Sequence, residues 1–241
     1  MHLAKRAVIM AAGIGSRMYP VTQTTPKPLV RVCGQRMIDT IISALHQNGI
    51  KEIYVVVGYL KEQFQTLLKE YPGLRIIENP DYQIANNISS LYYARDYLGD
   101  SIILDGDQIV KAPGILTPEF ERSCYCCHWT EKTTKEWLLT VDNGVVTHCS
   151  RTGGTRGWEL HSVSFWTAED GKKLKKHLEY EYQEKRKRAI YWDDVVIFCH
   201  PSEYCLGIRP IEENDLVEID SYEELCTWDK SYMSHERKEY E

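Results

Sequence analysis

Two stretches of the chain carry residue types that phosphate and metal chemistry would need. The first is Ala11-Ala12-Gly13-Ile14-Gly15-Ser16-Arg17, running on through Pro20, Thr22, Pro26, Lys27, Pro28 and Leu29. A glycine-rich turn leaving a strand lets backbone N–H groups approach phosphate oxygens with no Cβ in the way. Arg17 and Lys27 add two cations where a polyphosphate would require them. The pattern is neither of the two familiar phosphate loops. A dinucleotide fingerprint needs a third glycine where Met18 stands, and a P-loop needs a Gly-Lys-Ser/Thr sequel. The second stretch is Leu104-Asp105-Gly106-Asp107, at the end of a predicted strand. Carboxylates at i and i+2 share a strand face and suit Mg2+, which takes one or two carboxylates together with phosphate oxygens.

Further along, Glu136-Trp137, Ser164-Phe165-Trp166 and Tyr191-Trp192-Asp193-Asp194 set rings beside acids. A quaternary ammonium donates no hydrogen bond, so ring faces and carboxylates are what hold it, at about 0.5–2 kcal/mol per good cation–π contact. Rings at a spacing of two are equally at home in a core. We assign Trp166 and Trp192 to the core, and Trp137 and Tyr191, with Glu136, Asp193 and Asp194, to a cation site. Around Tyr82–Ser90, the side chains of Asn86, Asn87, Ser89 and Ser90 offer donors and acceptors for a base edge. Cys124, Cys126, Cys127 and His128 suggest zinc at first sight. Structural zinc sites pair C-x(2–4)-C units, however, and no second pair follows, so the cluster reads as a buried strand with small apolar thiols.

The elements that must position these groups alternate in the first half. Ala7–Ala12 reads as a strand, and Met37, Ile38, Ile41, Ile42 and Leu45 mark one face of a helix ended by Asn48-Gly49. Glu52–Val57, Leu74–Glu78 and Ser101–Asp107 read as strands, with helices over 61–71 and 89–98 between them. Near-continuous apolar strands alternating with helices predict an α/β, doubly wound, mostly parallel Rossmann-like sheet. Short strands at 123–130, 137–141, 145–149 and 162–167 predict an antiparallel extension in the second half. A long charged helix is expected over 168–188, its Lys185–Arg188 end a solvated last turn favoured by the helix dipole. A last strand, 216–220, precedes a helix from Ser221, and taken alone Asp220 has the N-cap of that helix as its lesser alternative to a ligand.

The 241 residues carry 43% hydrophobic and 27% charged side chains, enough for a packed core and against wholesale disorder. With no repeat or low-complexity linker, we expect one domain over 1–241, its halves divided near residue 110. A net charge of −6 argues against a general nucleic-acid or anionic-membrane binder. No apolar run reaches the ~18–20 residues of a bilayer span, and the short run after Lys5-Arg6 is too short for a signal peptide. A cytoplasmic protein with its eight cysteines reduced is expected.

From Ala11 to Leu29 the chain matches, at every fixed position, the signature A-A-G-x-G-x-R-x-x-P-x-T-x-x-x-P-K-x-L of nucleotidyltransferases that join a nucleoside triphosphate to a phosphorylated small molecule. With Gly58–Phe64 and the ring-and-acid segments, it resembles over nearly its whole length the bacterial CTP:phosphocholine cytidylyltransferases. The resemblance implies a nucleotidyltransferase fold, a nucleotide-binding half (1–110) and an acceptor-binding half (111–241). It implies catalytic roles for Arg17, Lys27 and Asp107, and nucleotide contacts from Ala11, Ala12, Gly13, Gly15, Ser16, Asn87, Ser89 and Asp105. Asp107 and Asp220 would hold Mg2+. The expected reaction is CTP plus phosphocholine to CDP-choline and pyrophosphate, with 2-aminoethylphosphonate the nearest alternative acceptor and a sugar 1-phosphate a remoter one. A catalytically silent nucleotide-binding domain would have lost Lys27, Arg17 or Asp107, and all three are present. Expected partners are CTP and a small cationic phospho- or phosphono-acceptor, with no nucleic acid and no membrane; a homodimer is compatible. Because relatives can be fused to other enzymes, the charged stretch 231–241 could be a linker stub.

Overall fold

Alternation along the strand Arg6–Ala11 sets the architecture. Ala7, Ile9 and Ala11 enter one core, and Val8 and Met10 the other. A strand buried on both faces needs helices on both sides of its sheet. This strand, β1, lies in a parallel group with β2 (Glu52–Val57), β3 (Leu74–Glu78) and β4 (Ser101–Asp105), in the order β3-β2-β1-β4. Helix α1 (Met37–Gln47) delivers Ile38, Ile41, Ile42 and Leu45 to the first core, and α2 (Gln65–Glu70) adds Leu67. Helices α3 (Ile88–Tyr93) and α4 (Ala168–Leu178) cover the second face with Ile88, Leu91, Leu174 and Leu178. The chain leaves β1 in one direction and returns on its other side as β4. Their carboxyl ends therefore flank the switch point at which doubly wound sheets take ligands. The structure is a computed structural model describing residues 1–234, so most of the proposed linker stub, 235–241, lies outside the described residues.

The second half extends the sheet. After β5 (Gln108–Val110) come β6 (Cys124–Thr130), β7 (Leu138–Asp142), β8 (Val145–Ser150) and β9 (Gly157–Trp166). Strand β9 joins the halves. Its end pairs antiparallel with β4, from Val163 opposite Leu104 to Trp166 opposite Ser101, while its start pairs with both β6 and β7. It begins five residues before the expected 162 because this double pairing, not apolar alternation, makes 157–161 extended. Strand β8 pairs with β7, and β10 (Gly207–Pro210) runs parallel to β6. The last strand, β11 (Leu216–Glu218), pairs with β5, and α5 (Tyr222–Trp228) follows.

Two expectations need correction. The charged helix is α-helical only to Leu178 and continues as a wider helical turn to Glu184. Its basic run is solvated only in part: Lys185 and Arg186 are exposed, but Lys187 pairs with Glu181 at 2.5 Å, and the Arg188 guanidinium lies 3.6 Å from the Tyr182 ring centroid. An unexpected helical segment spans Trp192–Cys199. Trp166 and Trp192 are core residues as expected, and Cys124, Cys126 and Cys127 are buried along β6. None of the described helices is long and apolar enough to cross a membrane.

Helix α4 docks by a close approach. A Cβ at Gly171 would stand 2.5 Å from both Gly99 Cα and Leu98 O. Alanine is the better helix former by about 1 kcal/mol, yet here it must push backbone apart. We expect Gly171→Ala to destabilise the protein by about 1–3 kcal/mol in urea denaturation; a more stable variant would disprove this packing.

A third, smaller core bears on the site. Met18, Val30, Val32 and Met37 pack with Ile219, Tyr222 and Leu225, tying the glycine-rich loop to the last strand and helix.

Candidate active site

The signature residues build one loop. Gly15 adopts φ +67°, in the left-handed region, and its carbonyl accepts the Thr22 hydroxyl at 2.7 Å and the Met18 N–H at 2.9 Å. A Cβ there would lie 3.1 Å from Lys27 Cβ, so the glycine also makes room for the lysine stem. Ala12 is buried, and its carbonyl accepts the Tyr59 N–H at 3.1 Å. The loop walls a cavity of about 330 Å³ with Ala11, Gly13, Gly15, Ser16, Arg17 and Lys27, closed by Asn86, Asp107 and Asp220. Cations and loop N–H groups thus converge on one concave space of the size a small ligand needs.

Asp107 and Asp220, remote in sequence, are brought together by the β5–β11 ribbon. Gln108 pairs with Glu218, setting Asp107 just before one strand and Asp220 just after the other. Oxygens of Asp107, Glu218 and Asp220 all lie within 4.8 Å of one another. Three hard oxygen donors beside a phosphate-sized cavity are the donor set that Mg2+ takes, so these residues fit that ion. Glu218 was not among the expected ligands, although its i, i+2 relation to Asp220 on an alternating segment was a usable signal. Ser221 caps α5 in a box with Glu224, which leaves the Asp220 carboxylate free for the cavity and removes the N-cap alternative.

The Lys27 ammonium, 6% exposed, sits between these acids, 2.6 Å from Asp107 Oδ2 and 2.8 Å from Asp220 Oδ1. Arg17 reaches Asp220 Oδ1 at 2.9 Å. Burial works against the lysine cation, but Asp107 and Asp220 hold its pKa above the ordinary value. Burial likewise opposes the Asp220 carboxylate, and Lys27 and Arg17 still draw it below the usual range. Glu218 has less relief: burial, then Asp107 and Asp220, push it up to about 9.

Asp105 departs from expectation. The strand ends at Asp105, and Gly106 and Asp107 form a turn, with the Gly106 N–H bonded to Met10 O at 2.8 Å, so strand alternation does not relate the two aspartates. Asp105 is not among the residues that line the nucleotide cavity; it lies beside Ser162 and Asp193 and within electrostatic reach of Asp107 and Lys27, with its pKa raised by burial, then by Asp107 and Asp193. The base-edge residues divide in a similar way. Ser89 is buried, accepting from Asn79 at 2.9 Å and donating to Asn86 O at 2.8 Å, and Asn87 Oδ1 accepts the Trp192 N–H at 2.9 Å. These two position the loop, and Asn86 is the residue that lines the cavity.

On the acceptor side, Glu136 lines a second cavity of about 380 Å³ that shares Asp220 with the first. Burial raises the Glu136 pKa, with Glu159 and Asp220 adding and Arg17 opposing. His128 and His161 face this cavity with Nδ1 and Nε2 2.8 Å apart, and burial beside His128 holds His161 down at about 4. Asp193 carries a buried Oδ1 with no hydrogen-bond partner among the described residues. Burial pushes its carboxyl up to about 7, against the pull of the nearby Tyr125 hydroxyl. Asp194, expected on the acceptor, is engaged elsewhere: it accepts the Tyr191 N–H at 2.9 Å to start a helical turn, and it pairs with Arg151. Trp137 meets Tyr191 edge-on, with centroids 5.9 Å apart.

This geometry has close relatives. Residues 6–121 match the family model described as "Nucleotidyl transferase". A 2-aminoethylphosphonate cytidylyltransferase of Lancefieldella rimae is 40% identical over 230 residues, covering 94% of this chain and 93% of that one. A choline-phosphate cytidylyltransferase of Streptococcus pneumoniae is 33% identical over 219 residues, covering 91% and 94%. The solved structure of the CTP:phosphocholine cytidylyltransferase from Streptococcus pneumoniae superposes with a TM-score of 0.87 at 32% identity, covering 94% of this chain and 98% of that one.

Proposed function

The chain belongs to the nucleotidyl transferase family and is a cytidylyltransferase; from that premise we propose that it transfers CMP from CTP to 2-aminoethylphosphonate, with Mg2+ as cofactor. The observation that carries the acceptor is Asp193, whose buried Oδ1 has no hydrogen-bond partner among the described residues, although the Tyr125 hydroxyl lies near the carboxylate. A primary ammonium has three N–H donors to give and a trimethylammonium has none, so an unpartnered carboxylate oxygen selects the former. The Lancefieldella relative acts on this acceptor, which supports the reading.

In the reaction a phosphonate oxygen attacks the α-phosphorus in line. The new O–P bond forms as the bond to the bridging oxygen breaks, and pyrophosphate departs with that electron pair. An acceptor whose second ionisation lies near neutrality, as at ~6 for a phosphate monoester, is already anionic and needs no general base. The chain's own part is positioning and charge balance. Loop N–H groups from Gly13 to Ser16 hold the triphosphate, Arg17 and Lys27 offset charge at the reacting and leaving phosphates, and Asn86 meets the base. Asp107, Glu218 and Asp220 would hold Mg2+, which would supply further neutralisation of phosphate charge.

The ring cluster around Trp137 and Tyr191, with the pneumococcal likeness, favours phosphocholine as a second reading. Pyrophosphate release with Mg2+ and CTP separates the two. 2-Aminoethylphosphonate is expected to exceed phosphocholine in kcat/KM by about tenfold or more, a difference of one charge-assisted hydrogen bond, while phosphoethanolamine, which has the same ammonium, serves as the control for the phosphonate end. A preference for phosphocholine would overturn the acceptor, equal rates with UTP would overturn the base, and CTP binding without turnover on any acceptor would point to a silent domain.

A further inference from the structure

The acceptor half holds a cation of its own. Arg151, just after β8, places its guanidinium 4.3 Å from the Phe198 ring centroid and 5.3 Å from that of Trp137. These two rings meet edge-on at 5.5 Å, and Trp137 also meets Tyr191. The same guanidinium pairs with Asp194, which is only 2% exposed. The cluster adjoins the nucleotide site: Tyr191 precedes Trp192, whose N–H is held by Asn87, next to the cavity residue Asn86. Rings and a buried carboxylate are what a quaternary ammonium would require, and here both already serve an arginine.

We propose that Arg151 is a specificity-determining residue that fills the ring cluster and neutralises Asp194, so that a trimethylammonium head is refused and a primary ammonium is left to the free oxygen of Asp193. The inference rests on the acceptor reading above. Two cations cannot share the same ring faces, because the second meets repulsion from the first. A primary ammonium avoids the contest because its best partner is a hydrogen-bond acceptor, and Asp193 lies outside the guanidinium's contacts. The Arg151 side chain is 46% exposed, so its removal opens the edge of the cluster without breaching a core.

The test measures kcat and KM for 2-aminoethylphosphonate and phosphocholine, at saturating CTP and Mg2+, in the wild type, Arg151→Ala and Arg151→Ala/Asp194→Asn. The double variant removes the charge that the single one leaves buried, and thermal melts establish that each is folded. The phosphocholine KM should fall about tenfold or more in the variants, as expected from freeing two ring faces. The kcat for 2-aminoethylphosphonate and the KM for CTP should move less than about threefold. If the wild type prefers 2-aminoethylphosphonate and the ratio stays the same in the folded variants, Arg151 is not the determinant and the acceptor reading stands. Equal losses on both acceptors make Arg151 structural and overturn the inference. A wild type that prefers phosphocholine overturns the acceptor reading and the inference together.

Discussion

Lys27→Ala is expected to lower kcat for pyrophosphate release by about 10²–10³-fold, the usual loss for one preorganised charge at a developing anion. The lysine is nearly buried and its ammonium lies within 2.8 Å of both Asp107 and Asp220. Its stem packs under Gly15, so the charge is held at the cavity before any ligand arrives. The KM for the acceptor should change little, because Lys27 does not line the second cavity, on the acceptor side. Removing the cation also leaves Asp107 and Asp220 facing each other, so the metal-free variant should lose stability while gaining affinity for divalent cations. Lys27→Arg separates charge from shape: a planar guanidinium cannot sit between the two carboxylates as a point charge does, and little rescue is expected. Near-normal turnover by Lys27→Ala would remove the lysine from the mechanism.

The second large effect falls on Glu218. Glu218→Gln keeps the volume and removes a carboxylate from the metal triad, and the Mg2+ concentration for half-maximal rate should rise about 10–100-fold, with kcat reduced. Stability should move the other way. The folded protein holds this carboxyl at about 9 against an ordinary 4.5, so it keeps a proton that the unfolded chain has already released. Between those values the parent loses stability as pH rises, and the loss is complete above about 9. Glutamine carries no such penalty. In EDTA, chemical denaturation should therefore find the variant's advantage growing from pH 5.5 to pH 8.5. An unchanged Mg2+ dependence would take Glu218 out of the metal site.

The placements legible in the sequence are the local ones. Gly15, Thr22 and Lys27 close one loop by contacts within a dozen residues, so their spacing carries their geometry. The parallel strands were legible for a similar reason, since burial on both faces writes itself into continuous apolar runs. Misreadings cluster where a turn or a tertiary partner decides direction. Asp105 follows strand periodicity only until Gly106 ends the strand. Ser89 and Asn87 have the chemistry of base readers, but tertiary partners set them: the Ser89 hydroxyl bonds to Asn79 and Asn86, and the Asn87 Oδ1 accepts from Trp192. Asp194 looked identical to Asp193 in sequence, and the Tyr191 N–H and Arg151, both of which Asp194 engages, set them apart. A lone arginine after a hairpin strand has no pattern to announce it.

The ribbon that joins β5 to β11 has a consequence for how the protein is made. A chain leaving the ribosome exposes the glycine loop, Lys27 and Asp107 long before Glu218 and Asp220 are synthesised. Until residue 220 has cleared the tunnel, the lysine has one of its two carboxylates, the triad has one of its three, and Met18 lacks the cover of Ile219, Tyr222 and Leu225. Catalytic competence is thus a late event in biosynthesis, and a nascent chain is silent toward the nucleotide pool around it.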